Sequence, residues 1–190
     1  MNSICLALNA LRPDAKWIVR GLPPNEVIEW NDTEQLQPTE QEIEVKLAEL
    51  KYQGEVNVYQ EKRKLEYPDW EDQLDKIYHS GVNAWKADIK KIKDKYPKQT
   101  MDATELQKRK DAAIFNLQKR NYEKASARLA QYELSVGLQD ENNNYIIDPL
   151  PLYIPEIGRN PLVVQDEKER AEAQEVINNT PQAVIDSVDN

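Results

Sequence analysis

Residues 65–98 read LEYPDWEDQLDKIYHSGVNAWKADIKKIKDKYPK, a stretch that contains two Tyr-Pro pairs. Pro68 ends the helical pattern before it, because proline lacks an amide hydrogen and restricts the residue that precedes it. Asp69 is placed to cap the next helix, and Gly81 marks the end of that helix. Another short helix follows and ends at Pro97. The pattern predicts a helical hairpin in which the chain reverses at Gly81.

Apolar residues recur at helical spacing in both halves of this stretch. We expect them to form one small core of the hairpin: Trp70, Leu74, Ile77, Trp85, Ile89 and Ile92. Residues 86–98 contain six lysines and two aspartates but no arginine, which favours an exposed amphipathic face over a nucleic-acid site. We interpret the stretch as a packing module.

The composition of the whole chain is poor in apolar residues. Only 39% of its 190 residues are apolar, and the mean hydropathy is -0.81. A chain of this kind is ordered when it is helical and elongated and buries its apolar stripes against other chains. Its net charge is -9, concentrated in the last quarter, which is unfavourable for binding nucleic acid. No apolar run is long enough for membrane insertion, and the first residues do not make a convincing signal peptide.

The segment before the first long helix carries signals for β-structure. "AKWIVRG" and "EVIEWND" are rich in β-branched and aromatic residues and are separated by glycine and prolines, which predicts a hairpin. Trp17 and Trp30 are then expected on one face. Thr39 and Glu42 form a capping-box pattern, and the helix that begins there is expected to run to about Glu66.

A second long helix is expected to begin at Asp102 or Thr104 and to run to about Ser135. Phe115, Tyr122 and Leu129 are spaced by seven, and Tyr132 falls on the same seam. This heptad-like stripe is typical of a coiled coil, although a long core helix of a monomer has a similar pattern. We favour self-association through these four residues, as a homotrimer.

The last third changes character and is rich in proline and acidic residues. "DENNNYIID" begins like a calcium loop at Asp140, Asn142 and Asn144, but Tyr145 stands where that loop needs glycine and Pro151 where it needs glutamate. A tight polar turn before a short strand is the better interpretation. Two helices are expected after it, a charged one over residues 165–179 and a short one after Thr180.

Together these signals predict a mainly α-helical protein. Its expected segments are a β-hairpin docking cap over 1–38, a helical module over 39–99, a long helix over 100–136, and a region over 137–190 with extended segments, minor β-structure and C-terminal helices. Coiled-coil-like oligomerisation of the long helices is part of this expectation.

The residue types that carry common chemistry are scarce. His79 is the only histidine and Cys5 the only cysteine, too few for a zinc site, and no nucleophile motif accompanies them. Glu71, Asp72 and Asp75 stand among lysines as on a solvated helix face. We therefore expect no enzyme activity, no catalytic residue, no metal and no cofactor.

Cys5 cannot form an intrachain disulfide, which fits synthesis in a reducing cytoplasm. Two interpretations of it remain open. It is either a small buried apolar residue or a thiol that tethers the chain to a neighbouring subunit.

Three segments resemble, in their order and spacing, a family of small bacteriophage proteins that are encoded beside tail-fibre genes and described as tail-fibre assembly or tail-associated proteins. They are "ALNALRPDAKWIVRG", "IEWNDTEQLQPTEQEIEVKLAEL" and "YPDWEDQLDKIYHSGVNAWKADIKKIKDKYPK", which together cover roughly residues 6–98. The resemblance implies a role in a phage tail, with other tail or baseplate proteins as partners.

Residues 100–190 have no counterpart in that family. A long helix and an acidic end suit permanent assembly. We therefore expect a virion component, either a tail fibre or a fibre-to-baseplate connector. It is expected to be made in the host cytoplasm and to have a further role in host attachment. The alternative is a non-virion chaperone that assists tail-fibre assembly.

Overall fold

The structure, a computed structural model, describes residues 3–21 and 26–189 of the chain. Helices hold 64% of the chain, and the strands form small antiparallel pairs, which confirms the predicted mainly α-helical fold. The chain divides into two compact units, residues 1–113 and 114–190. The division falls inside the fourth helix.

The described part of the chain contains six helices and six short strands. The helices are α1 Ser3–Leu11, α2 Glu40–Glu66, α3 Trp70–Lys95, α4 Ala103–Ala130, α5 Pro161–Asn179 and α6 Gln182–Asp189. The strands are β1 Trp17–Arg20, β2 Val27–Trp30, β3 Leu138–Gln139, β4 Tyr145–Ile147, β5 Tyr153–Ile154 and β6 Gly158–Arg159. They pair in sequence order as three two-stranded antiparallel sheets.

The N-terminal cap contains the predicted hairpin and a helix that was not predicted. Trp17 lies opposite Trp30 in the β1–β2 register, and both rings pack on the same core. The loop at residues 22–25 lies outside the described residues. Helix α1 corrects the expectation of a cap built from a hairpin alone, because Ala7 and Leu8 are fully buried beside Ile43 of α2. Nine residues are too few to show helical periodicity clearly, so packing decides this element.

Both ends of α2 lie where the sequence predicts them. The Thr39 hydroxyl accepts a hydrogen bond from the amide of Glu42 at 3.2 Å, and the Glu42 carboxylate accepts one from the amide of Thr39 at 2.8 Å. These bonds satisfy amides that the first helical turn leaves unpaired. The bond from the Thr39 amide is also the main cause that lowers the pKa of Glu42. At the other end Tyr67 is extended before Pro68.

The middle of α2 packs against the beginning of α4. The Tyr52 hydroxyl accepts a hydrogen bond from the amide of Asp102 at 3.2 Å. Arg109 lies over the Tyr52 ring, 4.4 Å from its centroid, and its guanidinium bonds to Glu55 at 2.7 Å. Asp102 caps α4 through the amide of Glu105, which decides between the two predicted capping residues.

Residues 114–190 have a core of their own between three helices. Its buried apolar members are Leu117 and Ala125 from α4, Val163 and Ala173 from α5, and Val184 from α6. Asp166 of α5 is also buried, at 5% exposure; its carboxylate binds Arg128 of α4 and accepts a hydrogen bond from the amide of Leu134. Helix α4 is therefore packed along one side by its own chain.

The end of α4 corrects the predicted seam. The helix ends at Ala130 rather than near Ser135. At this end the Arg170 guanidinium donates to the carbonyls of Gln131 and Leu129. Tyr132 therefore lies outside the helix and cannot occupy a heptad position. Of the other three seam residues, Phe115 is exposed while Tyr122 and Leu129 are half-buried. Homotrimer formation stays a prediction.

The polar turn predicted at Asp140 is confirmed. Its carboxylate accepts hydrogen bonds from the amides of Asn142 and Asn144, each at 2.8 Å, and the turn leads into β4. The Asn144 amide is the main cause that lowers the pKa of Asp140. Within residues 3–21 and 26–189, no cluster of three or more histidine, cysteine, aspartate or glutamate side chains is arranged to hold a metal. None of the described helices has the length and apolar character needed to cross a membrane.

The buried Asp166 provides a test of the second unit. Asp166→Ala should lower the free energy of unfolding by about 2 kcal/mol, because it leaves the Arg128 guanidinium without its buried partner. The bond from Arg128 lowers the folded-state pKa of Asp166 below its ordinary value of 3.8. Its stabilisation is therefore present above about pH 4 and lost as the pH falls through the lowered folded-state pKa.

Urea unfolding at pH 7 and at pH 3 measures both effects. The control is Glu175→Ala, which removes an exposed carboxylate from the same helix. If Asp166→Ala costs no more stability than Glu175→Ala at pH 7, the buried pair does not stabilise this unit.

Candidate interaction surface

Helix α3 is a hairpin of two helical halves that meet at Gly81. Gly81 has φ +79° and ψ 163°, which interrupts the helix with a backbone that suits glycine. The Trp85 indole N–H donates to the Gln73 side chain at 3.0 Å, and Lys76 lies 3.3 Å from Asp88. Residues twelve apart in a straight helix are about 18 Å apart along its axis. The predicted chain reversal at Gly81 is therefore confirmed.

The open end of this hairpin is fixed to the end of α2. The Arg63 guanidinium donates to the Tyr96 carbonyl at 2.8 Å and to the Lys93 carbonyl at 3.1 Å, which satisfies acceptors that a helix end leaves free. Glu66 accepts hydrogen bonds from Lys95 and from the Tyr96 hydroxyl. The Lys95 bond is the main cause that lowers the pKa of Glu66.

The predicted core of the hairpin is only partly closed. No residue of α3 is fully buried. Four of the six predicted core residues are half-buried: Ile77, Trp85, Ile89 and Ile92. The other two are corrected, since Trp70 is 71% exposed and Leu74 is 48% exposed. The reason is that Gln73, one residue before Leu74, faces the second half and bonds to Trp85.

Three exposed residues of the first half form a surface that we call the apolar stripe: Trp70, Leu74 and Tyr78. Their four-residue spacing places them on one face of the first half, and Tyr78 is 84% exposed. Contiguous exposed apolar groups of this kind mark interaction sites, and tryptophan and tyrosine are enriched where such sites bind most strongly. We identify the apolar stripe as the candidate interaction surface.

The polar groups near the apolar stripe lie exposed. His79 Nε2 is 3.2 Å from the Asp75 carboxylate one turn earlier, and the Tyr78 ring meets the imidazole edge-on at 4.9 Å. Glu71 and Asp72 occupy the first turn of α3, where carboxylates complement the helix dipole. The geometry is that of a solvated helix face around an apolar strip.

The second half of α3 forms a different surface, which we call the basic groove. It has a volume of about 430 Å³, with Trp85 and Ile89 on its apolar side and three lysines and one aspartate beside them: Lys86, Lys90, Lys93 and Asp94. Sequence reasoning missed it because Trp85 and Ile89 were assigned entirely to the hairpin core. Their half-burial leaves one side of each free to line the groove.

The structure places Cys5 on α1 as a half-buried free thiol. Its neighbours along the helix, Ile4, Ala7 and Leu8, belong to the core of the cap. This position fits a small apolar residue at the margin of the core. A covalent tether through Cys5 stays a prediction.

The chain matches no protein-family model, no curated protein and no solved structure.

Two tryptophans of the hairpin should respond differently to truncation. Trp70→Ala should change the free energy of unfolding by less than about 0.5 kcal/mol, because the ring is mostly in water. Trp85→Ala should lower it by about 2 kcal/mol, because it removes a half-buried ring and the hydrogen bond to Gln73. Urea unfolding followed by circular dichroism measures both. Equal losses for the two variants would place Trp70 in the core and remove it from the candidate surface.

Proposed function

We propose that this protein is a structural component of a bacteriophage tail, either a tail fibre or a connector between fibre and baseplate. It acts by protein–protein assembly, resides in the virion after synthesis in the host cytoplasm, and contributes to host attachment. The observation that carries the proposal is the apolar stripe of Trp70, Leu74 and Tyr78.

The stripe supports assembly because of the chain in which it occurs. This protein has few apolar residues and yet leaves a tryptophan, a leucine and a tyrosine in water. Covering them with a partner is favourable, because it removes apolar surface from water. Each aromatic side chain buries about 150–250 Å² when it is fully enclosed, so two of them provide a large part of a small contact. The hydrogen bonds from Arg63 fix the open end of the hairpin to α2, so the hairpin that carries the stripe has a defined position on that helix.

The resemblance supports a phage tail as the place of assembly. Residues 65–98, which carry the stripe, belong to the part that resembles tail-fibre-associated proteins. Residues 114–190 add a second unit with its own core, which suits a chain that stays in the particle and makes more than one contact.

We also propose that the assembly contains several copies of this chain. Phe115, Tyr122 and Leu129 remain the candidate contacts of a homotrimer, now without Tyr132. Three-fold closure suits a fibre because identical helices then share one axis.

Analysis of purified mature particles by mass spectrometry tests the location. We expect the chain to be present at a fixed ratio to the known tail subunits after extensive purification. If fibres fail to assemble without it but the chain is absent from finished particles, the chaperone alternative replaces the structural proposal.

The contribution of the stripe is tested by the double variant Trp70→Ser with Tyr78→Ser. We expect this variant to fold but to enter particles at least about tenfold less than wild type, as loss of interface aromatics does. Leu36→Ser is a matched control, since Leu36 is also 84% exposed but lies outside the stripe. If both variants are incorporated equally, the stripe is not the assembly surface.

A further inference from the structure

The two hairpins between α4 and α5 expose an unusual amount of apolar surface. We call residues 138–159, which hold β3–β4 and β5–β6, the C-terminal hairpins. All three residues of β4 are exposed, with Ile146 at 64%. The other large exposed side chains of this region are Leu138, Leu152, Tyr153 and Ile157. Isolated two-stranded hairpins are marginally stable in water, so this surface is expected to be covered.

The C-terminal hairpins are nevertheless held in a defined shape. Asn160, buried at their end, donates from its side chain to the Pro151 carbonyl at 2.9 Å and from its amide to the Leu152 carbonyl at 2.8 Å. Gly137 is also buried and has φ +74°; a Cβ there would lie 2.5 Å from the Ile147 carbonyl oxygen. Their apolar side chains are therefore presented by a built surface rather than by a loose segment.

The charges of the hairpins point to the chemistry of what covers them. Residues 138–159 contain four carboxylates and one arginine. Glu141, Asp148 and Glu156 are exposed, and within the described residues none of these three forms an ion pair, whereas Arg159 is paired with Glu167. An apolar surface edged by free carboxylates fits an apolar surface edged by free cations.

The basic groove has that composition. Trp85 and Ile89 provide its apolar side, and Lys86 and Lys93 are exposed lysines without an ion pair in the described part of the chain. Lys90 is the third lysine and is paired with Asp94. Lys86 and Lys93 are separated by about 10 Å along the helix and lie on the same face of it, because they are seven residues apart.

We propose that the C-terminal hairpins of one copy of this protein dock into the basic groove of a second copy. The exposed apolar side chains of β4 and β5 then cover Trp85 and Ile89, while Asp148 and Glu156 face Lys86 and Lys93. The contact joins two different surfaces, and each copy carries both of them. It closes as a two-fold dimer where two copies exchange hairpins, and produces rings or open chains where each copy contacts two neighbours. It is separate from the apolar stripe and from the α4 seam.

Sedimentation of the full-length protein tests this contact with charge reversals. The groove variant carries Lys86→Glu and Lys93→Glu, and the hairpin variant carries Asp148→Lys and Glu156→Lys. We expect wild type to associate, and each variant alone to associate at least about tenfold more weakly. Raising the salt concentration should weaken the wild-type contact, since salt screens exposed charges. Lys51→Glu with Lys64→Glu is the matched control for the groove variant and should sediment as wild type does.

Mixing the two variants makes the test specific. The carboxylates of the groove variant's hairpins fit the lysines of the hairpin variant's groove, and the introduced lysines fit the introduced glutamates, so an equal mixture should regain association. A wild-type chain that sediments as a monomer overturns the proposal. It is also overturned if the groove variant associates like wild type, or if both variants are weakened and their mixture shows no recovery. These readouts need no phage particle, so they are independent of the location in a tail.

Discussion

This protein leaves more apolar surface in water than its own cores enclose. Among the described residues, twenty-three large apolar side chains are exposed, whereas ten apolar residues are buried. Burial of apolar area is the main favourable contribution to folding, so such a chain has a limited reserve of stability. The cores that do form are small and local: one under the N-terminal hairpin around Leu8 and Ile43, and another among α4, α5 and α6. The apolar stripe, the basic groove and the C-terminal hairpins are what these two cores leave uncovered.

Arginine side chains connect helices that share little buried apolar surface. Arg63 joins α2 to the carboxyl end of α3, Arg109 joins α4 to α2, and Arg128 joins α4 to α5. Each guanidinium makes two or more directed contacts, which its planar group permits and a lysine ammonium matches poorly. Arg63 acts on backbone carbonyls, so it keeps the hairpin in place whatever side chains line its faces. The exposed ion pair of Arg109 with Glu55 fixes geometry more than it adds stability, since exposed pairs are weak and screened by salt, whereas Arg128 pairs with the buried Asp166. The protein therefore presents defined surfaces although its cores are small.

Local signals predicted the parts of this fold that local chemistry determines. The capping box at Thr39, the helix end before Pro68, the reversal at Gly81 and the polar turn at Asp140 each depend on a few neighbouring residues. The predictions that were wrong concern elements that depend on contacts between residues far apart in the sequence. Helix α1 forms because Ala7 and Leu8 reach Ile43, and α4 ends at Ala130 where Arg170, forty residues later, bonds to its last carbonyls. Trp70 and Leu74 have the spacing of core residues, but the pattern of one helix does not reveal which face its partner occupies. The candidate surface was thus visible in the sequence as a stripe and assigned to the wrong side of the hairpin.

The distribution of the uncovered surfaces bears on the choice between a permanent component and a chaperone. One apolar stripe and the basic groove lie in residues 1–113, and the C-terminal hairpins lie in residues 114–190. A chaperone that releases its client needs one surface of moderate affinity. A subunit that connects neighbours needs separate surfaces that are occupied together, because each further contact made by an already bound chain forms at a high effective concentration. Several modest contacts then hold such a subunit firmly without a large core. In the proposed tail component, apolar surfaces in both units suit a connector, and this role is a physical reason for a chain this polar to retain so many apolar side chains in water.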